Sequence, residues 1–591
     1  MNALVWTVPV ALPLGAAALA LVVGRRRAWL AVLAPLPALV VALTGPPGPA
    51  PDLAWILLDV RLVLDPLGRL LLATTAAVWL AGGLAARGMT GSRPGTAALW
   101  HVTLAGNVGL VMAGDVVSLY TLYAVMTFAA YALVVHERTG EARRAGRIYV
   151  VMAVAGEASL LSGLMLAVAA AGSTATDEVA AVLVHAPHGG VLVGLILAGF
   201  AVKAGVMPVH MWLPLAHPVA PTPASAVLSG AMIKAGLVGW LRLLPLGGAA
   251  LSGWGRTLIV LGLVSAVVGA AAGIAQTRPK VVLAYSSVSQ MGLIATVVGV
   301  GLTAPSAAPL AVAAAAVHAL HHGLAKAALF LGVGVQRAFA GRGGRWLTLG
   351  GCALAAAALA GAPLTSGWVA KALAKDAVEL LPHPWSGRLV LLLSIAAVGT
   401  TLVMVRLLVL LGRGTAEAAS GAPAGGSTGE PEEAKDHGLV VAFTALLAGV
   451  GIASWVLPGL LLEGIGPPAV TLSGIVDGMW PVAAGLVVAA GAMSLSRPPS
   501  RAVRPIVPPG DLVVPAEAAT RALARAASRA VRGLVALRDR VGAGTTALER
   551  RLRPGEGFVR LDERLTRWRT VGVSFALVTA ALIAMMARAG G

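Results

Sequence analysis

Long apolar runs, separated by short polar connections, follow one another along most of the chain. An α-helix needs roughly 20 predominantly apolar residues to cross a bilayer, and many of these runs have that length. The pattern therefore predicts an all-α, polytopic membrane bundle of about 16 transmembrane helices. The predicted spans are residues 2–22, 28–45, 66–86, 97–113, 115–135, 148–171, 190–212, 222–246, 256–275, 281–301, 308–337, 347–374, 388–411, 437–460, 475–495 and 571–588.

The basic residues of the connections predict how this bundle is oriented. Lys and Arg concentrate on the cytoplasmic side of membrane proteins. Here they cluster in the odd-numbered connections, for example at residues 138–147, 337–345 and 497–504, whereas the even-numbered connections carry acids such as Asp177 and Glu178. We therefore expect a multi-pass protein of the inner (plasma) membrane with both termini outside.

Composition narrows the classes of function. Hydrophobic residues make up 58% of the 591 residues and charged residues 12%, which a soluble fold with a polar surface does not tolerate. Basic loops against anionic lipid account for the formal net charge of +19, so membrane lipid and not nucleic acid is the expected partner. The single cysteine, Cys352, excludes disulfides and cysteine-held iron–sulfur or zinc sites within the chain. We expect no cofactor, no metal and no catalytic redox centre here.

Two segments differ in character from the spans. Residues 413–437 are rich in Gly, Ala and Glu without apolar periodicity, which predicts a flexible loop. Residues 511–569 repeat apolar residues at helical spacing with arginines on another face, which predicts an amphipathic helix lying laterally in the interface. The apolar run within 570–591 predicts a terminal anchor. The lateral segment is either a lipid-bound basic tail or a brace across neighbouring subunits, and the pattern leaves both open.

Lysines occur deep within two of the apolar runs. Lys203 and Lys234 lie on either side of a proline-dense break at residues 208–223. A charge at that depth in a membrane is costly, so it is usually functional. A broken helix beside a buried amine predicts an ion pathway.

Two further runs carry ionisable groups. His318, His322 and Lys326 recur every four residues, which places them along one helical face. Lys371 follows a stretch containing Gly361 and a proline, so we expect the helix to break just before the amine. Histidine titrates near neutral pH and a buried lysine can exchange protons, so the set predicts a proton relay.

Other interpretations of these and neighbouring residues remain open. The histidines at i and i+4 suit a metal or haem, although no carboxylate or cysteine follows at ligand spacing. His210 and His217, beside the proline break, either assist the relay or satisfy backbone groups freed there. Lys280 and Lys375 lie near helix ends, where lysines extend to the headgroups. Glu157, deep in its span, either pairs with a buried lysine or faces a small wet cavity.

Four strings within residues 114–376 carry a family resemblance. In chain order they are KAGVMPVHMWLPLAHPVAPTPASAVLSGAMIKAG, KVVLAYSSVSQMG, HALHHGLAKAALFL and SGWVAKALAKD. Together they resemble the proton-translocating antiporter-like family: the large membrane subunits of respiratory complex I, their homologues in membrane-bound hydrogenases, and subunits of Mrp sodium/proton antiporters. The layout is most similar to the distal complex I subunit, which carries a lateral helix.

The resemblance implies a fold of two inverted five-helix repeats, each with a broken helix. In this family Lys203 corresponds to the lysine that modulates the first half-channel, Lys326 to the central lysine and Lys371 to the exit lysine. The proton relay implied by the resemblance consists of Lys203, Lys234, His318, His322, Lys326 and Lys371. The implied domains are N-terminal helices (1–113), an antiporter-like core (114–376), C-terminal helices (377–510), the lateral helix (511–569) and the anchor (570–591).

One position departs from the family pattern. The glutamate that normally pairs with the seventh-helix lysine is replaced by Ala124. Glu157, one span further on, is the candidate replacement partner for Lys203. Otherwise the subunit conducts differently or has lost pumping.

These features predict a proton-translocating membrane subunit of a complex I-like or hydrogenase-like energy-converting complex. Such a subunit has no redox chemistry of its own and belongs to a translocating oxidoreductase whose peripheral redox subunits are partners, beside other membrane subunits. The alternatives are an Mrp-type cation/proton antiporter subunit, a subunit energising inorganic-carbon uptake, or a membrane scaffold with a degenerate relay. The transported ion is the proton, with sodium left open.

Overall fold

The computed structural model describes residues 3–24, 27–49, 60–339, 341–419, 437–462, 464–495 and 507–511. These residues form a bundle of helices with one short antiparallel ribbon, in which strand β1 (Gly48–Pro49) pairs with β2 (Val63–Leu64). The predicted lateral helix beyond Asp511, the anchor at 570–591 and most of the predicted loop lie outside the described residues.

The helices follow in chain order. They are α1 (Ala3–Ala20), α2 (Arg27–Leu33), α3 (Leu36–Thr44), α4 (Pro66–Ala85), α5 (Arg87–Ser92), α6 (Pro94–Met112), α7 (Val116–Val134), α8 (Gly140–Ala171), α9 (Thr176–Val182), α10 (Gly189–Ala204), α11 (Trp212–Val219), α12 (Thr222–Val227), α13 (Lys234–Leu243), α14 (Ser252–Ile274), α15 (Pro279–Thr303), α16 (Ala308–Ala338), α17 (Arg342–Ala360), α18 (Ser366–Glu379), α19 (Trp385–Ala419), α20 (His437–Leu461) and α21 (Leu472–Leu495).

Eleven stretches of the described residues are long and apolar enough to cross a membrane, so the polytopic all-α class is confirmed. Each coincides with one of the predicted spans. The other predicted spans correspond to the shorter helices α1 and α10, to α6, to the interrupted pair α17 and α18, and to 571–588 outside the described residues. Helix α19 continues to Ala419, past the predicted start of the loop at 413.

Two predicted spans are shorter than the sequence indicated because glycine ends a helix early. The prediction of a span over 190–212 is wrong at its end, since α10 stops at Ala204 and Gly205 adopts a left-handed conformation with φ 69°. The predicted span 347–374 is interrupted in the same way at Gly361, with φ 85°. Glycine adopts this conformation without steric cost and commonly ends helices. The predicted break before Lys371 is confirmed.

A π-helical turn at Leu228–Met232 separates α12 from α13. The apolar pattern gave no sign of it, because 222–246 was predicted as one uninterrupted span. Such turns often mark functional sites within helices, and this one lies directly before Lys234.

Helices α15 and α16 form the core of the bundle. Nearly every side chain of α15 is buried, and most of α16 is buried as well. Helix α14 packs closely against α15 through glycine: a Cβ atom on Gly262 would lie 2.6 Å from the carbonyl oxygen of Gly292. Small residues permit this close approach of helices in membranes.

An ion pair fixes α13 to the start of α4. The Arg242 guanidinium donates to both carboxylate oxygens of Asp65, at 3.0 and 2.8 Å. The same Asp65 carboxylate caps α4 by accepting from the Gly68 backbone N–H at 2.8 Å. One carboxylate therefore positions the end of the helix that begins at Lys234.

Candidate functional site

The predicted relay residues lie inside the bundle. Lys203 and Lys234 are each 3% exposed, and Lys326 is fully buried. His318 and His322 are buried on α16, and Lys371 is partly buried on α18. The placement of each ionisable group therefore follows the sequence prediction, whereas its contacts had to come from the structure.

Three aromatic rings surround the ammonium group of Lys203 in the last turn of α10. Its Nζ lies 5.9 Å from the ring centroid of Tyr123, 5.7 Å from that of Tyr149 and 5.9 Å from that of Trp212. It also donates hydrogen bonds to the hydroxyls of Thr127, at 3.2 Å, and Tyr149, at 3.3 Å. Aromatic faces attract a cation, so this aromatic cage (Tyr123, Tyr149 and Trp212) stabilises the charged amine.

Glu157 on α8 approaches Lys203 through a threonine. Its side chain is 5% exposed and accepts a hydrogen bond from the Thr127 hydroxyl, the same hydroxyl that accepts from Lys203. The second carboxylate oxygen, Oε1, is buried and has no hydrogen-bond partner within the described part of the chain. Thr127 lies one turn beyond Ala124 on α7. A Lys203–Thr127–Glu157 chain therefore joins the lysine to the acid.

Lys234 begins α13 directly after the π-helical turn. Its Nζ donates to the carbonyl oxygen of Ser229, within that turn, at 2.6 Å. The Ser229 hydroxyl lies 2.9 Å from the Ser287 hydroxyl on α15. A cavity of about 10 Å³, lined in part by Thr74, Asn107 and Lys234, adjoins the amine, and that volume holds about one water molecule. Lys234 is thus bordered by polar groups of several helices.

Helix α16 supplies the central groups. His318 Nε2 lies 2.9 Å from Gln290 Oε1 on α15, and Gln290 Nε2 donates to the Thr400 hydroxyl on α19 at 3.0 Å. Two turns further along α16, the Lys326 amine donates to the Ser286 hydroxyl and to a backbone carbonyl of α15. The polar side chains of α15 therefore line the histidines and the lysine of α16.

Several imidazole nitrogens at this centre have no hydrogen-bond partner among the residues that the structure describes. They are Nδ1 of His318 and both ring nitrogens of His322 and His217. The ring of His217 stacks on Phe330, with centroids 4.5 Å apart. Buried polar groups are normally satisfied by protein or ordered water. By this rule, these nitrogens are sites at which ordered water or a proton binds.

Lys371 caps the end of α17. Its Nζ donates to the carbonyl oxygens of Leu359, at 3.0 Å, and Ala360, at 2.5 Å, which the helix break leaves without helical partners. Lys371 and His318 both line a cavity of about 390 Å³. The break predicted from Gly361 thus brings the amine to a cavity that His318 of α16 also lines.

The candidate accessory histidines differ in their surroundings. His217 faces the centre, as described above. His210 is buried, and its Nε2 lies 3.1 Å from Asp511 Oδ1. Asp511 belongs to the segment 507–511, and Val507 of that segment accepts a hydrogen bond from Gln276 at 2.9 Å. His210 therefore fastens this segment to the bundle.

Sequence reasoning missed several residues of the site. The expectation that Lys280 extends to the headgroups is wrong: it is fully buried and donates to the Ala220 carbonyl oxygen at 3.0 Å. Gln290 belonged to one of the quoted strings, yet its polar position within an apolar helix was not used. Likewise His321, which contacts Ser366 at 2.8 Å, was passed over between two named histidines.

The described ranges contain no group of three or more His, Cys, Asp or Glu side chains arranged to hold a metal ion. Of the i, i+4 histidines of α16, His318 contacts the Gln290 amide, and neither ring nitrogen of His322 has a hydrogen-bond partner among the described residues. The arrangement is therefore suited to proton exchange between neutral hydroxyl, amide, imidazole and amine groups.

The fold and the site define a polytopic helical membrane protein with ionisable side chains through its core. Residues 113–378 match the model of the family described as NADH:quinone oxidoreductase/Mrp antiporter, TM. The matched segment contains all four strings, so the match confirms the resemblance predicted from them.

Individual relatives agree with the family match. The chain is 31% identical to hydrogenase-4 component B of Escherichia coli over 243 residues, which is 40% of this chain and 36% of the relative. It is 36% identical to NADH-quinone oxidoreductase subunit N of Heliobacterium modesticaldum over 192 residues, covering 32% of this chain and 40% of the relative. The alignments thus span less than half of each curated relative.

A solved structure resembles a larger share of the chain. The structure of the Mrp complex from Dietzia sp. DQ12-45-1b superimposes with a TM-score of 0.71 at 24% identity, covering 98% of this chain and 63% of that chain. This likeness concerns the fold.

Proposed function

We propose that the chain is a proton-translocating membrane subunit of a complex I-like or hydrogenase-like energy-converting complex. The observation that supports this most directly is the succession of buried amines and imidazoles on α10, α13, α16 and α18, bordered by hydroxyl and amide groups. Ionisable residues buried within a membrane bundle are costly and characteristically form proton or ion pathways.

In this mechanism Lys203 and Glu157 form the entry half of the pathway. Thr127 both donates and accepts a hydrogen bond, so a proton can pass between the Lys203 amine and the Glu157 carboxylate through its hydroxyl. The unpartnered Oε1 of Glu157 is the atom at which an incoming proton binds. Glu157 thereby replaces the acidic partner that Ala124 lacks.

The central and exit steps use α16 and α18. Lys234 passes the proton towards His318 and His322, with Lys326 as the central lysine, and Lys371 releases it. A positive charge that arrives at one amine repels a positive charge on the next amine, because both lie in a medium of low dielectric constant. Each transfer thus promotes the following one.

The finer architecture belongs to this proposal as well. It comprises about sixteen spans with two inverted five-helix repeats and the domain bounds 1–113, 114–376 and 377–510. The lateral helix at 511–569 acts as a brace along neighbouring subunits, and the terminal anchor at 570–591 holds its far end. By the positive-inside rule both termini lie outside the plasma membrane.

Partner subunits carry the electron transfer. The mechanism that we propose assigns no redox cofactor to this chain, and iron–sulfur or nickel proteins bound to it supply the driving reaction. Coupling passes through other membrane subunits by conformation or electrostatics. Membrane lipids surround the bundle, and sodium ions are the alternative to protons as the transported species.

The fold likeness to the Mrp complex favours a second candidate, a subunit of an Mrp-type cation/proton antiporter or of an ion-driven inorganic-carbon uptake complex. The two proposals differ in partners more than in this chain. Purification of the native complex distinguishes them, because a redox partner supports the first and isolation with only small membrane subunits supports the second.

The test of the relay is Lys326→Ala in the assembled complex. We expect proton pumping into inverted membrane vesicles, followed with a pH-sensitive dye, to be abolished while native gels show intact assembly. Arg256→Ala is the control, because this side chain is exposed and donates a hydrogen bond to the Ser252 carbonyl oxygen of its own helix. Normal pumping by Lys326→Ala contradicts the relay, and loss of assembly assigns the lysine a structural role.

Glu157→Gln tests the replaced partner in the same vesicles. It keeps the shape of the side chain and removes its ability to carry a proton. Unchanged pumping would refute the entry role of Glu157.

A further inference from the structure

The connection between α11 and α12 interrupts the main-chain hydrogen bonding of the bundle. Ala220, which follows α11, is extended, with φ −75° and ψ 145°. Pro221 has no N–H, so it cannot donate to the His217 carbonyl oxygen as the fourth residue along a continuous helix would. The carbonyl oxygens of His217 and Ala220 therefore need donors from elsewhere in the buried protein.

Two side chains supply these donors. The Ser225 hydroxyl, on α12, donates to the His217 carbonyl oxygen at 3.1 Å. The Lys280 amine, on the second residue of α15, donates to the Ala220 carbonyl oxygen at 3.0 Å. A charged donor makes a stronger hydrogen bond than a neutral hydroxyl. Lys280 is therefore the stronger of these two contacts across the break.

Lys280 is an ionisable group that the proposed relay does not use. It is fully buried, and an ammonium group is removed from water at high cost unless hydrogen bonds compensate. An ionisable residue inside a membrane bundle is usually functional. The contact of Lys280 with the break indicates where such a function lies, because the same break carries His217.

The His217 ring lies close to the central lysine. It stacks on Phe330, with centroids 4.5 Å apart and an angle of 23° between the ring planes. Phe330 follows Lys326 by four residues on α16, so the two side chains share one face of that helix. The amines of Lys326 and Lys280 both act electrostatically on the His217 ring. The segment that Lys280 holds therefore places an imidazole beside the central amine.

Helix α15 contacts both parts of this arrangement. Lys326 donates to the carbonyl oxygen of Leu283 and to the hydroxyl of Ser286. Leu283 lies three residues after Lys280, one turn along the same helix. One end of α15 thus fixes the central amine directly and, through Lys280, fixes the break that carries His217.

We propose that Lys280 is a positioning residue of the central relay: its amine holds the break between α11 and α12 so that the His217 ring lies beside Lys326. This role rests on the proposed function and names the residue that sets the geometry of its central step. Lys280 acts through the backbone that carries His217, and the proton itself moves on the imidazole and on the central amine.

Hydrogen exchange, followed by mass spectrometry on the assembled complex, tests the hold on the break without measuring pumping. Lys280→Met keeps an unbranched stem in the buried site and removes the donor. We expect amide exchange in peptides covering residues 212–227 to become about tenfold faster, as for loss of one hydrogen bond to a charged group. Arg278→Met is the matched control at the same end of α15. Its side chain is 25% exposed and pairs with Glu141 at 2.7 Å, so its loss leaves this exchange unchanged.

Proton pumping in vesicles tests whether Lys280 acts through His217. We expect Lys280→Met to pump about tenfold more slowly than the native chain. His217→Phe keeps a ring against Phe330 and removes both nitrogens, so it slows pumping as well. In the His217→Phe chain, Lys280→Met then changes the rate by less than about twofold, because the group that it positions is absent.

Ser225→Ala removes the other donor of the break and is the milder variant. We expect exchange at 212–227 to become about threefold faster and pumping about threefold slower, as for loss of one neutral hydrogen bond. In the His217→Phe chain it causes no further loss of pumping. These two readouts decide the proposal if native gels show that Lys280→Met does not assemble.

Three results would overturn the role of Lys280. Unchanged exchange at 212–227 in Lys280→Met would mean that its amine does not hold the break. Normal pumping by His217→Phe would remove the residue through which Lys280 acts. Equal slowing by Lys280→Met in the native and His217→Phe chains would mean that it acts on another part of the relay. Each result is distinguishable from a failure of the proposed function, which appears as normal pumping by Lys326→Ala.

Discussion

The aromatic cage around Lys203 leads to a prediction for Tyr149→Phe. This substitution keeps the ring that faces the amine, 5.7 Å from Nζ, and removes only the hydroxyl. That hydroxyl accepts a hydrogen bond from Lys203 at 3.3 Å and donates one to the Thr127 carbonyl oxygen at 2.9 Å. The change therefore separates the polar contribution of Tyr149 from its cation–π contribution.

The size of the effect follows from these two bonds. A hydrogen bond to a charged group contributes about 1.5–3 kcal/mol, and the 3.3 Å separation favours the lower end. The hydroxyl also fixes the backbone that carries Thr127, the residue between Lys203 and Glu157. A loss of about 1.5 kcal/mol in stabilising the charged amine corresponds to a rate about tenfold lower.

Proton uptake by vesicles containing the assembled complex is the assay. Tyr123→Phe is the matched control, because its ring also faces Lys203 and keeps its place when the hydroxyl is removed. We expect Tyr149→Phe to pump about tenfold more slowly than the native chain and Tyr123→Phe less than twofold more slowly, in line with the loss of one charged hydrogen bond. Equal rates for both variants would refute the view that the Tyr149 hydroxyl positions the entry half of the relay.

Three further predictions follow from the same contacts. Ala124→Glu places a carboxylate one turn from Thr127 and is expected to restore vesicle pumping to Glu157→Gln; no recovery would mean that α7 and α8 are not equivalent sources of the acid. Asp65→Ala removes the Arg242 ion pair and the cap of α4, so the free energy of unfolding in detergent falls by about 2–3 kcal/mol, whereas Asp65→Asn, which keeps an N-cap side chain, loses less. Gln290→Leu removes the amide that bridges α16 and α19, and we expect slower pumping with intact assembly on native gels.

Much of the fold is predictable because a membrane makes local hydrophobicity decisive. Each of the eleven membrane-spanning stretches coincides with a predicted span, since about 20 apolar residues have few alternatives in lipid. Interruptions of the helices within these spans are harder to predict from the sequence. The break at Gly361 was predicted from its glycine and the following proline. The left-handed end of α10 at Gly205 was not predicted, and the π-helical turn before Lys234 has no periodic signature.

The site divides in the same way. Lysines and histidines within apolar runs can be recognised from the sequence as candidate functional residues, since burial of a charge is costly. Their hydrogen-bond partners cannot be recognised in this way, because contacts such as Lys203 to Thr127 join residues that are 76 positions apart. An aromatic residue in a membrane helix is ordinary, so the sequence held no sign that Tyr149 completes a cage. Lys280 was misjudged because its position near a helix end suggested solvent, whereas packing of α11 and α15 buries it.

In the proposed relay, the replacement at Ala124 changes how tightly the amine and the acid of the entry half are coupled. An acid on the same helix turn as Thr127 would pair directly with Lys203, and a buried direct pair resists any change of charge on either partner. Glu157 instead contacts the amine through the Thr127 hydroxyl. The aromatic faces also help to stabilise the cation. Because the rings hold a charge without binding a proton, the amine and the acid are less tightly coupled than a direct pair. In the mechanism that we propose, the threonine keeps a path for the proton between them.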